Sequence, residues 1–234
     1  MNIPRHVAII PDGNRRWARK HNLPASLGHE KGADVLKDVL EEAFHLGITC
    51  LSFCGLSLAN LQKRSKKEVQ YLERIFEKNF KRLAEERTIH EEQVRIRVLG
   101  EWESLLGEGI RHSIRLAMKA TEKYNRLSLN VFIAYDGTIE MLAAIERIVA
   151  KGREIPKLTI TPELVKENLL TCDLPPVDLL IRTGGETHLS AGFMMWETTE
   201  SQLYFSEKYW PEFTGEDFKE AIRVFQERDR RLGR

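Results

Sequence analysis

No run of residues in this 234-residue chain is apolar for long enough to cross a bilayer, and no internal repeat or low-complexity tract interrupts it. Residues 1–234 therefore read as one domain, near the upper end of single-domain size and large enough for a sizeable core. Excess charge is missing too. With 36 Lys and Arg against 35 Asp and Glu the net charge is +1, which argues against wholesale nucleic-acid binding, because that needs a strongly basic domain. Cysteine is scarce: Cys50, Cys54 and Cys172 are an odd, scattered set with no Cys/His cluster beside them, which excludes a zinc site and fits a reducing cytoplasm. Met1 to Arg5 lead straight into an apolar run, leaving no room for a signal peptide, so the expected location is cytoplasmic.

What is present is a strong opening signal. Val7-Ala8-Ile9-Ile10 reads as a short buried strand, stopped by Pro11, which has no N–H for a ladder. Asp12-Gly13-Asn14 is a turn, and either Asp12 or Asn14 can cap a following helix. A strand that breaks into Gly and a helix start leaves backbone N–H groups facing an anion, and Arg15 and Arg16 add two charges. The place suits a diphosphate, with Asp12 as a Mg²⁺ ligand facing it, although a buried strand with a solvated basic turn satisfies the same spacing.

Downstream, strands and helices alternate. After a polar linker from His21 to Ser26, Val35, Leu36, Val39, Leu40, Ala43 and Leu46 form one apolar helix face, closed by Gly47. Strands are expected at 48–53, 94–99, 127–134, 177–181 and 202–205, and long helices at 66–87, 104–124, 137–150 and 216–231. Gly55 to Ser65 lacks a clean period and reads as a loop, and Thr161-Pro162 as a cap followed by the first helical position. The pattern predicts an α/β fold, a single domain with a six-stranded, mostly parallel central sheet flanked by helices. Ligands of such sheets sit beyond the carboxyl ends of the strands, where Asp12, Ser57, Asn60 and Arg182 fall.

Read together, Asp12-Gly13-Asn14, Arg16-Trp17-Ala18, Gly28-His29 and Arg182-Thr183-Gly184-Gly185-Glu186 resemble the cis-prenyltransferase family, the undecaprenyl diphosphate synthase type, from about His6 to Gly233. The resemblance implies a transferase that moves a prenyl group from an allylic diphosphate, with cis condensation onto isopentenyl diphosphate, and an apolar tunnel between helices and sheet for the product. It implies Mg²⁺ as cofactor and a homodimer, in which the terminal Arg231-Leu232-Gly233 reaches the partner's site. The donor diphosphate would meet Gly13, Asn14, Arg15, Arg16, Trp17, His29 and Arg64. Arg182, His188 and Ser190 would hold the isopentenyl diphosphate, and Ser57 and Asn60 would serve proton removal with Asp12 at the catalytic centre. Peripheral membrane contact would come through the lipid product, and the basic run Lys63, Arg64, Lys66, Lys67 could touch anionic lipid.

Several positions depart from the family pattern. His188 and Ala25 stand where the family has arginines, and Ala59 and Leu61 replace a Glu and a Trp. Gln202 falls where the family has a Mg²⁺-ligating Glu, with Glu200 as a substitute on the same sheet face if the strand already runs there. These changes on the acceptor side leave two other readings open: prenyl transfer to a different acceptor such as an alcohol, and a weakly active partner subunit of a homologous enzyme.

Overall fold

The computed structural model describes residues 3–155 and 157–228. In chain order the elements are β1 (His6–Ile10), α1 (Asn14–Lys20), α2 (Ala25–His45), β2 (Cys50–Ser57), α3 (Leu58–Lys63), α4 (Lys66–Glu85), α5 (Arg87–Glu91), β3 (Val94–Leu99), α6 (Trp102–Leu105), α7 (Glu108–Thr121), β4 (Leu127–Tyr135), α8 (Gly137–Glu154), α9 (Pro162–Glu167), β5 (Leu179–Arg182), β6 (Gln202–Phe205) and α10 (Gly215–Glu227), with a single 3₁₀ turn at Trp210–Glu212. The six strands pair in the order β3-β4-β2-β1-β5-β6, and every pairing is parallel. Each strand returns through a crossover, so both sheet faces are covered and β1 is buried at every residue. Val7 and Ile9 point into a large core with Val39 of α2, Phe80 of α4, Ile114 of α7 and Phe218 of α10. Ala8 and Ile10 point the other way, onto Leu174, Phe193 and Met194. No helix among the described residues is long and apolar enough to cross a membrane.

The parallel sheet and most of the long helices follow the sequence pattern, and Thr161 caps α9 with Pro162 in its first turn. The differences sit where short-range chemistry decides. Residues 55–65 are not a loop: β2 runs on to Ser57 through a register shift at Cys54, and the Ser57 hydroxyl then accepts the Asn60 N–H to start α3. That irregularity hides the strand's period. Helix α2 begins at Ala25, so Gly28 and His29 lie inside it rather than at its start. The helix expected over 104–124 breaks at Gly107, whose N–H goes to the Glu73 carboxylate. Neither Asp12 nor Asn14 caps α1; that position is Gly13, at φ 106°, where a Cβ would run into Tyr209. The terminal residues Arg230 to Gly233 lie outside the described residues.

Candidate active site

The parallel register of β1 and β5 pairs Ile10 with Arg182, so the turn after β1 lies beside the end of β5. The buried Thr183 hydroxyl locks the two together, accepting the Asp12 N–H at 2.9 Å and donating to the Asp12 carbonyl at 2.8 Å. The Trp210 N–H donates to the same carbonyl at 2.9 Å. With its backbone fixed, Asp12 presents a carboxylate that is one-third exposed and held from both sides. Arg16 Nη2 lies 3.1 Å from Oδ1 and Arg182 Nη2 lies 3.0 Å from Oδ2. Arg16 reaches on to Glu186 at 3.1 Å and lies over the Tyr209 ring, 5.4 Å from its centroid. Gly184 makes room for this, since a Cβ there would stand 2.7 Å from Arg16 Nη2.

The glycines and the arginine of this corner are both committed within the fold. The Gly184 and Gly185 N–H groups do not face an anion; they donate to the carbonyls of Lys208 and Ser206 at 2.7 and 2.9 Å. Arg182 is not an open clamp either. It is only 4% exposed, and its other Nη group donates to the His188 carbonyl. The His188 side chain points outward near Glu186 at 3.7 Å, while Ser190 lines the cavity described below.

Across the opening, His29 sits in the second turn of α2 with Nε2 3.5 Å from Arg64 Nη1. Burial first, then the charges of Arg64 and Arg15, hold its pKa down at about 4, so the ring is neutral at pH 7. Glu68 accepts both cations, Arg64 at 3.4 Å and Arg15 at 3.9 Å. Burial also lowers the Arg64 pKa. Helix α1 reaches this place because Gly28 and Gly32 of α2 have no side chains: a Cβ would be 2.2 Å from the Asn14 carbonyl at Gly28 and 2.3 Å from Asn14 Oδ1 at Gly32. That close approach went unread in the sequence, although the Gly-x-x-x-Gly spacing was its signal. Tyr209 and Glu68 also went unread, because nothing local marks them, and Thr183 was read only as part of its motif.

These groups ring one end of a cavity of about 570 Å³. Asp12, Gly13, Asn14, Arg15, Arg16, His29, Ser57, Asn60, Arg64 and Ser190 all line it. Inward it becomes apolar, between Leu36, Leu40 and Phe44 of α2, Phe76 and Phe80 of α4, and Phe53 and Val131 of the sheet. Trp17 is not part of it; its ring packs at a tilt against His21, 4.5 Å between centroids. Gln202 is not brought to Asp12 within one chain. It opens β6 opposite Leu179, which pairs with Val7, so it lies at the amino ends of the strands, and its side-chain oxygen is buried without a partner. Glu200 precedes the strand, so it shares no face with Gln202. Among the described residues no group of three or more His, Cys, Asp or Glu side chains could hold a metal ion unaided. The mouth therefore sets five guanidiniums (Arg15, Arg16, Arg19, Arg64, Arg182) against three carboxylates (Asp12, Glu68, Glu186) that pair with four of them.

A family model described as putative undecaprenyl diphosphate synthase matches residues 10–233. The chain belongs to the cis-prenyltransferase family. The tritrans,polycis-undecaprenyl-diphosphate synthase (geranylgeranyl-diphosphate specific) of Pyrococcus horikoshii is 42% identical over 99% of this chain and 88% of its own. The isoprenyl transferase of Thermotoga maritima is 39% identical over 100% and 98%. Among solved structures, lavandulyl diphosphate synthase from Lavandula x intermedia, in complex with dimethylallyl diphosphate, superposes with a TM-score of 0.93 at 30% identity, covering 99% of each chain. A probable undecaprenyl diphosphate synthase from Campylobacter jejuni gives 0.80 at 28% identity, covering 100% of each. This cis-prenyltransferase is thus a transferase of prenyl groups built on the family's parallel α/β sheet.

Proposed function

We propose that this chain elongates an allylic prenyl diphosphate by cis condensation with isopentenyl diphosphate, and that geranylgeranyl diphosphate, the donor in the names of its archaeal relatives, is its donor. The observation that carries the reading is a carboxylate gripped by two guanidiniums at the polar mouth of an apolar cavity. Such a site binds an anion at one end and a hydrocarbon at the other.

Arg15, Arg16, Arg64 and the neutral His29 face the donor diphosphate, with Gly13 and Asn14 giving close backbone approach. Because three carboxylates take up much of the positive charge at the mouth, a diphosphate brings negative charge that the protein alone does not fully offset. Mg²⁺ fits that deficit: it is usually held by one or two carboxylates plus substrate phosphates, and Asp12 is the exposed carboxylate placed to hold it. When bound, it would neutralise charge developing on the leaving diphosphate. The allylic C–O bond breaks, the isopentenyl double bond attacks the carbon, and a proton is then lost from the new unit. Ser57 and Asn60, joined at the start of α3 and lining the cavity, assist that proton's departure. Ser190 and Arg182 serve the isopentenyl diphosphate, Arg182 by holding Asp12 and the His188 carbonyl in place. The apolar walls of α2, α4 and the sheet take the growing chain.

The exposed stripe Ile139, Leu142, Ile145 and Val149 on α8 supports a homodimer buried through that helix. A single catalytic domain over 1–234, a cytoplasmic enzyme and membrane contact through its lipid product complete the proposal. Incubation with labelled isopentenyl diphosphate, Mg²⁺ and a panel of allylic diphosphates tests it by product sizing. Polyprenyl diphosphates longer than the donor are expected; no elongation from any donor overturns it.

A further inference from the structure

Ser190 stands on a strap that the fold holds under strain. On either side of Gly192, Ala191 and Met194 take left-handed backbone, both at φ 50°. Residues with a Cβ hold that conformation only where their surroundings impose it. Three hydrogen bonds pin the strap. Arg182 donates to the His188 carbonyl. The Gly137 N–H, at the start of α8, donates to the Ala191 carbonyl at 2.9 Å. The Met194 N–H donates to the Tyr135 hydroxyl at 3.3 Å. Ser190, which lines the cavity, lies between the first two anchors. The fit is close: a Cβ at Gly137 would stand 2.0 Å from the Gly192 carbonyl.

The third anchor is a buried side chain, and it is aimed by others. Tyr135 closes β4 and is 2% exposed. Its hydroxyl donates to Glu140 Oε2 at 2.5 Å, which turns its lone pairs to the Met194 N–H. Glu140 is buried as well, and its Oε1 accepts the Thr171 N–H at 3.2 Å. The Thr171 hydroxyl lies between two carboxylates, 3.2 Å from Glu140 Oε1 and 2.7 Å from Glu197 Oε1. Lys166 Nζ reaches the same Glu197 oxygen at 2.5 Å. None of these five residues lines the cavity, so none meets a substrate there. Their chain of bonds nevertheless ends on the backbone that carries Ser190.

We propose that Tyr135, aimed by Glu140, is the positioning residue for Ser190 and through it sets the affinity for the acceptor diphosphate. The inference rests on the elongation reading above, in which Ser190 serves isopentenyl diphosphate. Its test is calorimetric titration with isopentenyl diphosphate and, separately, geranylgeranyl diphosphate, each with Mg²⁺. The proteins compared are native, Ser190→Ala, Tyr135→Phe, the double variant and Glu140→Gln. Tyr135→Phe leaves the Met194 N–H without an acceptor; it should weaken isopentenyl diphosphate about fivefold and geranylgeranyl diphosphate by less than about twofold. Added to Ser190→Ala it should weaken binding no further, since no serine is left to place. A merely structural role would multiply the two losses. Glu140→Gln is milder on the fold and offers one acceptor oxygen where the carboxylate offers two, so it should act in the same direction by a smaller factor. Native affinity in Tyr135→Phe, equal weakening of both ligands, or multiplied losses in the double variant overturns the positioning role. The expected binding pattern in a protein that elongates no donor supports that role and overturns the elongation reading alone. A native protein that does not bind isopentenyl diphosphate overturns both.

Discussion

At the scale of single residues, the site depends on Asp12 in two ways. It faces the cavity, and it neutralises Arg182, which is almost wholly buried. Asp12→Ala should abolish turnover and also destabilise the fold by about 1–3 kcal/mol, because a buried guanidinium is left with one partner fewer. Asp12→Asn keeps an acceptor for Arg182 and should lose turnover with a smaller loss of stability. Urea titrations beside steady-state assays separate the two effects; near-native turnover in either variant would contradict the assignment. His6 makes the second residue-scale prediction. It is fully buried, with Nδ1 2.8 Å from the Pro175 carbonyl and Nε2 2.8 Å from the Ser52 hydroxyl, and burial lowers its pKa to about 4. Above pH 6.5 the ring is neutral folded and unfolded, so it adds no pH dependence. As pH falls from 6.5 towards 4 the unfolded chain takes up the proton first, and stability drops by about 1.4 kcal/mol per pH unit. Between pH 7 and 5 the loss should be on the order of 2 kcal/mol, and it should be much smaller in His6→Gln.

At the scale of elements, Gly28 within α2 and Gly47 just after that helix should behave differently. Gly28→Ala drives a Cβ into the Asn14 backbone, which must move with α1 and its arginines. It should cost about 1–3 kcal/mol and also lower kcat/KM at least tenfold. Gly47→Ala meets no neighbour but keeps φ at 74°, so it should cost about 1 kcal/mol and leave kinetics unchanged. Equal effects of the two on activity would show that α1 is not positioned by Gly28. The same contrast explains what the sequence makes legible. Helices α2, α4 and α10 are readable because their apolar stripes repeat over several turns. Strand order is not a local property, but helix-bearing crossovers and buried apolar runs point to parallel pairing. The unread details are fixed by distant partners: Tyr209 decides the conformation of Gly13, and Lys208 and Ser206 take the N–H groups of Gly184 and Gly185. Matching positions by motif likewise carries no strand register, which is what keeps Gln202 away from Asp12 within one chain.

At the scale of the whole molecule, the exposed α8 stripe predicts a dimer that a single charge should disrupt. Light scattering of the native protein at micromolar concentration should give twice the monomer mass, and Leu142→Glu should give the monomer. A native monomer would remove the reason given for the stripe. The sheet order carries a different consequence, for the order in which the protein is made. β1 lies between β2 and β5, and the contacts that hold Asp12 come from Arg182, Thr183 and Trp210. A nascent chain that ends before β5 therefore presents its first strand with one open edge and its key carboxylate without those partners. Ribosome-bound fragments ending before β5 should be inert and prone to pair through that edge. Only as the last elements emerge does the earliest-made segment acquire the chemistry it encodes.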